Sequence, residues 1–231
     1  VGVDQVWLRS RDESRESDLW LLVAPRLRLR DEADVARLRA FVERGATLIL
    51  GAQTGIYDRN LHAHRSVRPC LARELAGGEV EAWSTLPGAA NRTLESRNGT
   101  AIQSHTFVEA LRCTSAEPIA TWTDPDPLLH GQVAASINTV GAGRVIYLGG
   151  CFDDAAITKW LDVLPIPWRA GAPIDRGHVE RLGRRAPTGE RFECLLNHTS
   201  ETQQATIGDD TVELPAWGWR VRSIGRAEGG V

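Results

Sequence analysis

Methionine is absent from all 231 residues, and lysine occurs once, at Lys159, against 26 arginines. The arginine bias fits a GC-rich bacterial coding sequence better than an arginine-recognition surface, because no dense basic cluster occurs. The lack of methionine extends to position 1, where valine stands. The chain is therefore expected to be a piece of a longer polypeptide. No apolar run approaches the roughly 20 residues needed to span a bilayer. The opening VGVDQVWLRSRDESRESD lacks the basic-then-apolar layout of a signal peptide. Those two absences point to a cytoplasmic protein that does not engage a membrane. Net charge is −3, so no general electrostatic drive toward nucleic acid exists. Cys70, Cys113, Cys151 and Cys194 form no C-x-x-C pair. That spacing excludes a zinc ribbon or a thioredoxin motif and does not read as a disulfide scaffold.

What is present is ordinary globular material, 42% hydrophobic and 25% charged. The near-continuous apolar runs at 19–25, 47–51 and 145–150 suit strands covered on both faces. Between the first two, Val35, Leu38 and Val42 mark one helical face, with Phe41 beside it. Acidic residues crowd the start of that segment and arginines its end, which complements the helix dipole. Gly45 is the expected stop. Strand, helix and strand make one βαβ unit, and 3–8 reads as an earlier strand of the same sheet. A short helix is expected over 66–76 and a strand over 79–83, with short irregular strands through 84–117. Further strands follow at 118–124, 132–140 and 143–150, the last two joined by a tight Gly-Ala-Gly hairpin. Residues 153–164 read as a helix with Ala156, Trp160 and Leu164 on one face and Asp153 as its cap. Three prolines and two glycines in 165–177 mark a linker. Beyond it only short strand-like segments occur, which predicts a small antiparallel β-sandwich. The expected organisation is an α/β domain over 1–165, a linker over 166–176 and a β domain over 177–231.

The first candidate for chemistry is Gly51-Ala52-Gln53-Thr54-Gly55. No lysine follows, so it is not a Walker loop, and G-x-G-x-x-G is absent. The spacing does match the nucleophile elbow G-x-Nuc-x-G. Gln53 stands where the nucleophile belongs, and an amide cannot be activated by a neighbouring base. Gly51, Gln53 and Gly55 are thus read as a degenerate elbow at the end of a buried strand. His62 and His64 form an H-x-H pair beside Asp58, but no third ligand is identifiable, and a solvated loop is preferred over a metal site. Trp217 and Trp219, two apart on an expected strand, share a face that could stack on a sugar; core or interface burial is the commoner use. Asp124 and Asp126 alternate with prolines in a turn. Cys151 with Asp153 could belong to a cysteine triad, but its histidine cannot be placed from sequence. No catalytic residue, metal or cofactor is assigned.

Several segments in order resemble the central domain of glycoside hydrolase family 42 β-galactosidases. They are Val23-Ala24-Pro25, the helix segment from Leu38 to Gly45, and Thr54-Gly55-Ile56-Tyr57-Asp58. The hairpin and closing strand over 131–154 are also similar. So are Leu195-Leu196-Asn197-His198-Thr199 and Leu214-Pro215-x-x-Gly218, which match the family's small C-terminal β domain. The resemblance implies a flavodoxin-like, class I glutamine amidotransferase-like doubly wound sheet that mediates trimerisation, followed by the β-sandwich. It also implies a separate catalytic (β/α)8 barrel, in cis or in trans, through which alone a galactoside is engaged. Both family glutamates lie in that barrel, the acid/base in an Asn-Glu pair. This sequence has no Asn-Glu dipeptide, and a barrel of about 250 residues does not fit beside the assigned segments. The expectation is a non-catalytic module of a homotrimeric retaining β-galactosidase. The alternative is a stand-alone carbohydrate-binding or regulatory module on a nucleophile-less amidotransferase-like fold.

Overall fold

The apolar run at Leu21–Ala24 (β1) and the one at Thr47–Gly51 (β2) pair in parallel, from Leu21 opposite Thr47 to Ala24 opposite Leu50. The computed structural model describes residues 20–29, 31–58, 60–88, 90–166, 178–186, 188–207 and 210–226. The strand expected over 3–8 and nearly all of the expected linker lie outside them. The helix joining β1 to β2, α1, spans Glu32–Glu43. Asp31 caps it by accepting the Asp34 N–H at 3.2 Å, which satisfies one of the orphan donors of the first turn. Leu38, Phe41 and Val42 are buried, and Val35 packs on the same cluster. Gly45 follows at φ +102°, a conformation that only glycine adopts cheaply.

The sheet continues with Gly143–Leu148 (β8), again parallel to β2, and then turns antiparallel. The other strands are Gly78–Thr85 (β3), Asn91–Ser96 (β4), Ala101–Cys113 (β5), Glu117–Trp122 (β6), Val133–Val140 (β7) and Gly150–Cys151 (β9). Spatial order is β1-β2-β8-β7-β6-β4-β5-β3, with β9 on β5. Among the described residues, parallel pairing is confined to β1, β2 and β8. The observed α/β sheet is mixed, with a three-strand parallel portion beside antiparallel strands. A 3-10 turn over Cys70–Ala72 runs into the short helix α2, Arg73–Ala76, and Asp154–Val163 forms α3. The β7–β8 hairpin turns on Gly141 at φ +59°.

The stretch 84–117, expected to be short and irregular, holds β4 and the 13-residue β5. β5 carries β4 and then β3 along one edge, with Thr106 at φ +58° between the two pairings. That left-handed residue breaks the alternation of buried side chains, which hides the strand from a period-two reading. Through β4, β6 and β7 the pairing returns to β5 at Leu111 opposite Val133, closing a ring. Where the chain passes from β8, on β7, to β9, on β5, Gly149 donates to the Ala134 carbonyl at 2.8 Å, and its own carbonyl accepts the Glu109 N–H at 2.7 Å. A Cβ at Gly149 would lie 2.7 and 2.8 Å from the Glu109 and Ala134 carbonyl oxygens.

The described residues group into two compact units, one within 8–167 and one within 168–231. In the second, Val179–Arg185 (β10), Glu190–Asn197 (β11) and Trp219–Arg226 (β14) form one antiparallel sheet. Gln203–Ile207 (β12) and Asp210–Leu214 (β13) form another. Val179, Leu195, Ala205 and Leu214, drawn from both sheets, make the shared core. Asn197 is buried, and its amide donates to the Glu201 and Pro215 carbonyls at 2.7 and 2.8 Å. Its side-chain oxygen accepts from the Thr199 N–H and hydroxyl. Asn197 and Thr199 thus tie β11 to the turn before β14, which gives the Leu-Leu-Asn-His-Thr segment a structural role.

Two outcomes are expected in urea unfolding. Gly149→Ala destabilises by about 2–3 kcal/mol, because the added methyl overpacks two backbone carbonyls. Asn197→Ala destabilises by a similar amount, about 2–3 kcal/mol, because buried carbonyls lose their donor.

Candidate functional site

The turn after β2 is built by close backbone contact. A Cβ on Gly51 would lie 3.1 Å from Pro25 Cα, and one on Gly55 only 2.6 Å from the Pro69 carbonyl oxygen. Gly55 also takes φ +68° and donates its N–H to Leu27 at 2.8 Å. Both glycines therefore have packing reasons to be there. Gln53 is different: it adopts φ +66° with a full side chain, the kind of backbone strain that marks functional turns. The middle residue of the G-x-x-x-G turn is thus left-handed, and its side chain is an amide rather than a nucleophile. Thr54 is no substitute, being fully buried with its hydroxyl donated to the Gly51 carbonyl at 2.7 Å.

A residue that sequence reasoning missed sits beneath this turn. Glu109, in the middle of β5, is fully buried. The Gln53 N–H donates to its Oε1 at 3.1 Å, and the Tyr147 hydroxyl of β8 donates to its Oε2 at 2.8 Å. The Trp122 indole N–H donates to the Glu109 main-chain carbonyl at 2.9 Å. Burial pushes the Glu109 carboxyl above the usual range; the Gln53 N–H, the Tyr147 hydroxyl and the Arg68 guanidinium pull it back. Burial and the neighbouring carboxylate drive the Tyr147 phenol well above its usual value. The Arg68 guanidinium lies 4.5 Å over the Trp83 ring, which in turn stacks on Phe107. Nothing in the run Phe107-Val108-Glu109-Ala110-Leu111 separates a buried glutamate from a solvated one, except its apolar neighbours on both sides.

The histidine that could not be placed beside Cys151 is His105. It pairs directly opposite Cys151 across β5 and β9. Its Nε2 lies 3.0 Å from Asp153 Oδ2, and its Nδ1 lies 2.7 Å from Asn91 Oδ1. A nucleophile triad needs one ring nitrogen on the acid and the other on the thiol. Here the second nitrogen is engaged by Asn91, so the triad members are neighbours without triad wiring. Asp153 caps α3 by accepting the Ala156 N–H at 2.8 Å. Asp124 and Asp126 face Arg92 at 3.5 and 3.6 Å.

His62 is exposed and His64 half-buried, in a loop closed by a bridge between Tyr57 and Ala63. Among the described residues, no three histidine, cysteine or acidic side chains gather as a metal site. Trp217 and Trp219 do not share a strand face as expected. β14 begins at Trp219, and Trp217 occupies the preceding turn at φ +56°. They are 68% and 71% exposed. No helix among the described residues is long and apolar enough to cross a membrane.

Residues 13–165 match the family model described as the β-galactosidase trimerisation domain. The chain belongs to this family, part of the glycoside hydrolase family 42 β-galactosidases. The β-galactosidase BglY of Alicyclobacillus acidocaldarius is 26% identical over 90% of the chain, which spans 33% of that protein. A β-galactosidase of an Arthrobacter species is 30% identical over 78% of the chain and 25% of its own length. The β-galactosidase structure from Bacillus circulans sp. alkalophilus superposes with TM-score 0.68 at 18% identity, covering 90% of this chain and 33% of that one. That from the haloarchaeon Halorubrum lacusprofundi superposes with TM-score 0.64 at 25% identity, covering 88% and 31%. This chain thus spans about a quarter to a third of the length of the curated relatives it matches.

Two outcomes test the site. Gly55→Ala destabilises by about 2 kcal/mol or more through left-handed strain and the Pro69 clash, whereas Gln53→Gly changes stability by about 1 kcal/mol or less; urea midpoints report both. The Ala156 N–H, and then His105, hold the Asp153 carboxyl below the usual range. A folded pKa below the unfolded one gives stabilisation above the ordinary aspartate range, lost as pH falls through the lowered value. The thermal midpoint difference between wild type and Asp153→Ala should therefore narrow in acid.

Proposed function

We propose that the chain is the non-catalytic trimerisation and C-terminal module of a β-galactosidase that hydrolyses terminal β-D-galactosides with retention. The observation that carries this reading is the family match over 13–165, combined with coverage of only about a quarter to a third of the relatives' length. In this reading 1–165 is the trimerisation domain, 166–176 the linker and 177–231 the C-terminal β domain. Three copies associate, and a catalytic (β/α)8 barrel, in cis or in trans, supplies both glutamates and the galactoside site. The proposed setting is the cytoplasm of a bacterium with a GC-rich genome. A common ancestry with flavodoxin-like, class I amidotransferase-like domains is part of the proposal. Its support is the β1-α1-β2 unit and the left-handed Gln53 at the elbow position.

A second reading, a stand-alone carbohydrate-binding or regulatory module, is favoured by one feature, the exposure of Trp217 and Trp219. Exposed indoles are the side chains that stack on sugar rings.

The purified 231-residue chain should have the mass of three copies by light scattering and show no turnover of a chromogenic β-galactoside. Turnover by the chain alone would overturn the non-catalytic assignment. Saturable galactose binding lost in a Trp217→Ala/Trp219→Ala double variant, with a monomeric mass, would favour the second reading.

A further inference from the structure

The degenerate elbow holds a set of donors that converge on a carboxylate, and the carboxylate is the protein's own. The Gln53 N–H and the Tyr147 hydroxyl each donate to a different oxygen of Glu109, at 3.1 and 2.8 Å. Neither donor lies on the strand that carries Glu109: Gln53 follows β2, and Tyr147 belongs to β8. Glu109 and Tyr147 are shielded from water, at 0% and 2% exposure. Arg68 adds a cation on the side of Trp83 and Phe107, and its Nη1 is buried with no hydrogen-bond partner among the described residues. An isolated carboxylate is strongly disfavoured in such a place, and two charge-assisted hydrogen bonds with a nearby guanidinium are what make it tolerable. The same arrangement is what an anion-binding turn offers to a ligand: a main-chain N–H at a left-handed residue, a hydroxyl and a positive charge.

We propose that the elbow is a carboxylate-binding cradle, made by the Gln53 N–H and the Tyr147 hydroxyl and backed by Arg68, which Glu109 occupies as a built-in ligand. The side chain closes the cradle from within and pins the turn after β2 to β5 and β8. The ligand class follows from the shape removed when the side chain is shortened. Glu109→Ala deletes a methylene and a carboxylate, which is the outline of acetate. An empty cradle therefore accepts a small monocarboxylate and not a halide.

The test uses the full chain with Glu109→Ala and Glu109→Gln. Glu109→Ala should lower the thermal midpoint by about 5–10 °C. About 100 mM sodium acetate should return several degrees by mass action on the folded state, and equal sodium chloride should return none. Glu109→Gln keeps the cradle filled by an amide, so acetate should leave its midpoint where chloride does. If Glu109→Ala does not fold in chloride, the readout is recovery of folded protein after dilution from urea, with acetate expected to raise the yield several-fold. Equal midpoints, or equal refolding yields, in acetate and chloride would overturn the proposal. So would an acetate gain as large in Glu109→Gln as in Glu109→Ala, since that would be a general salt effect.

Discussion

A single carboxylate holds together three strands that are distant in the chain. Glu109 of β5 accepts from the turn after β2 and from Tyr147 of β8, and its main chain is bonded by Trp122 and by Gly149. Each contact constrains another. The left-handed backbone at Gln53 keeps its N–H aimed inward only while an acceptor waits there. Gly149 must lack a side chain because the Glu109 carbonyl lies against it. Removing the acceptor from such a buried junction would orphan two donors at once, and unpartnered buried groups are more damaging than absent ones.

Much of the outer architecture was legible in the sequence. The apolar runs became β1, β2 and β8, and the 3.6-residue period with Asp31 and Gly45 around it became α1. The hairpin at 141–142 and the Asp153 cap were also readable. Period and punctuation carry that information, and they are local. The long strand β5 was not legible, because Thr106 shifts its phase and Ser104 and Glu109 place polar groups among its buried positions. Strand order was equally hidden: nothing in the sequence near 101–113 states that four other strands will lie along it. The elbow spacing could be read, but its partner Glu109 could not, since the partner lies more than fifty residues away and carries no motif.

Two places in the fold come near to catalytic geometry and stop short for different reasons. At Gln53 the backbone of the G-x-x-x-G turn is left-handed, but the side chain is an amide and the nearby acid is tied to the turn itself. At Cys151 a histidine and an aspartate are adjacent, but Asn91 engages the ring nitrogen that a thiol would need. Residue types gathered in one neighbourhood do not make a mechanism; the direction of each hydrogen bond decides. The same caution applies to Trp217 and Trp219, where a spacing of two suggested one face until the turn at Trp217 separated them.

The closed ring of β4, β5, β6 and β7 has a consequence for the order in which the chain can assemble. Its pairings join residues close in sequence, such as Asn91 with His105 and Thr121 with Val133. The parallel pairing instead makes Thr47 wait for Arg144, roughly a hundred residues on. Short loops lose less entropy on closing than long ones, so local pairings form faster. β8 belongs to both systems, hydrogen-bonded to β7 on one edge and to β2 on the other. A ribosome emitting this chain would release β1, α1 and β2 before β8, so that β1 and β2 can pair while the second parallel partner of β2 is not yet made. The far edge of β2 is thus left open until β8, laid down on β7, arrives to close it.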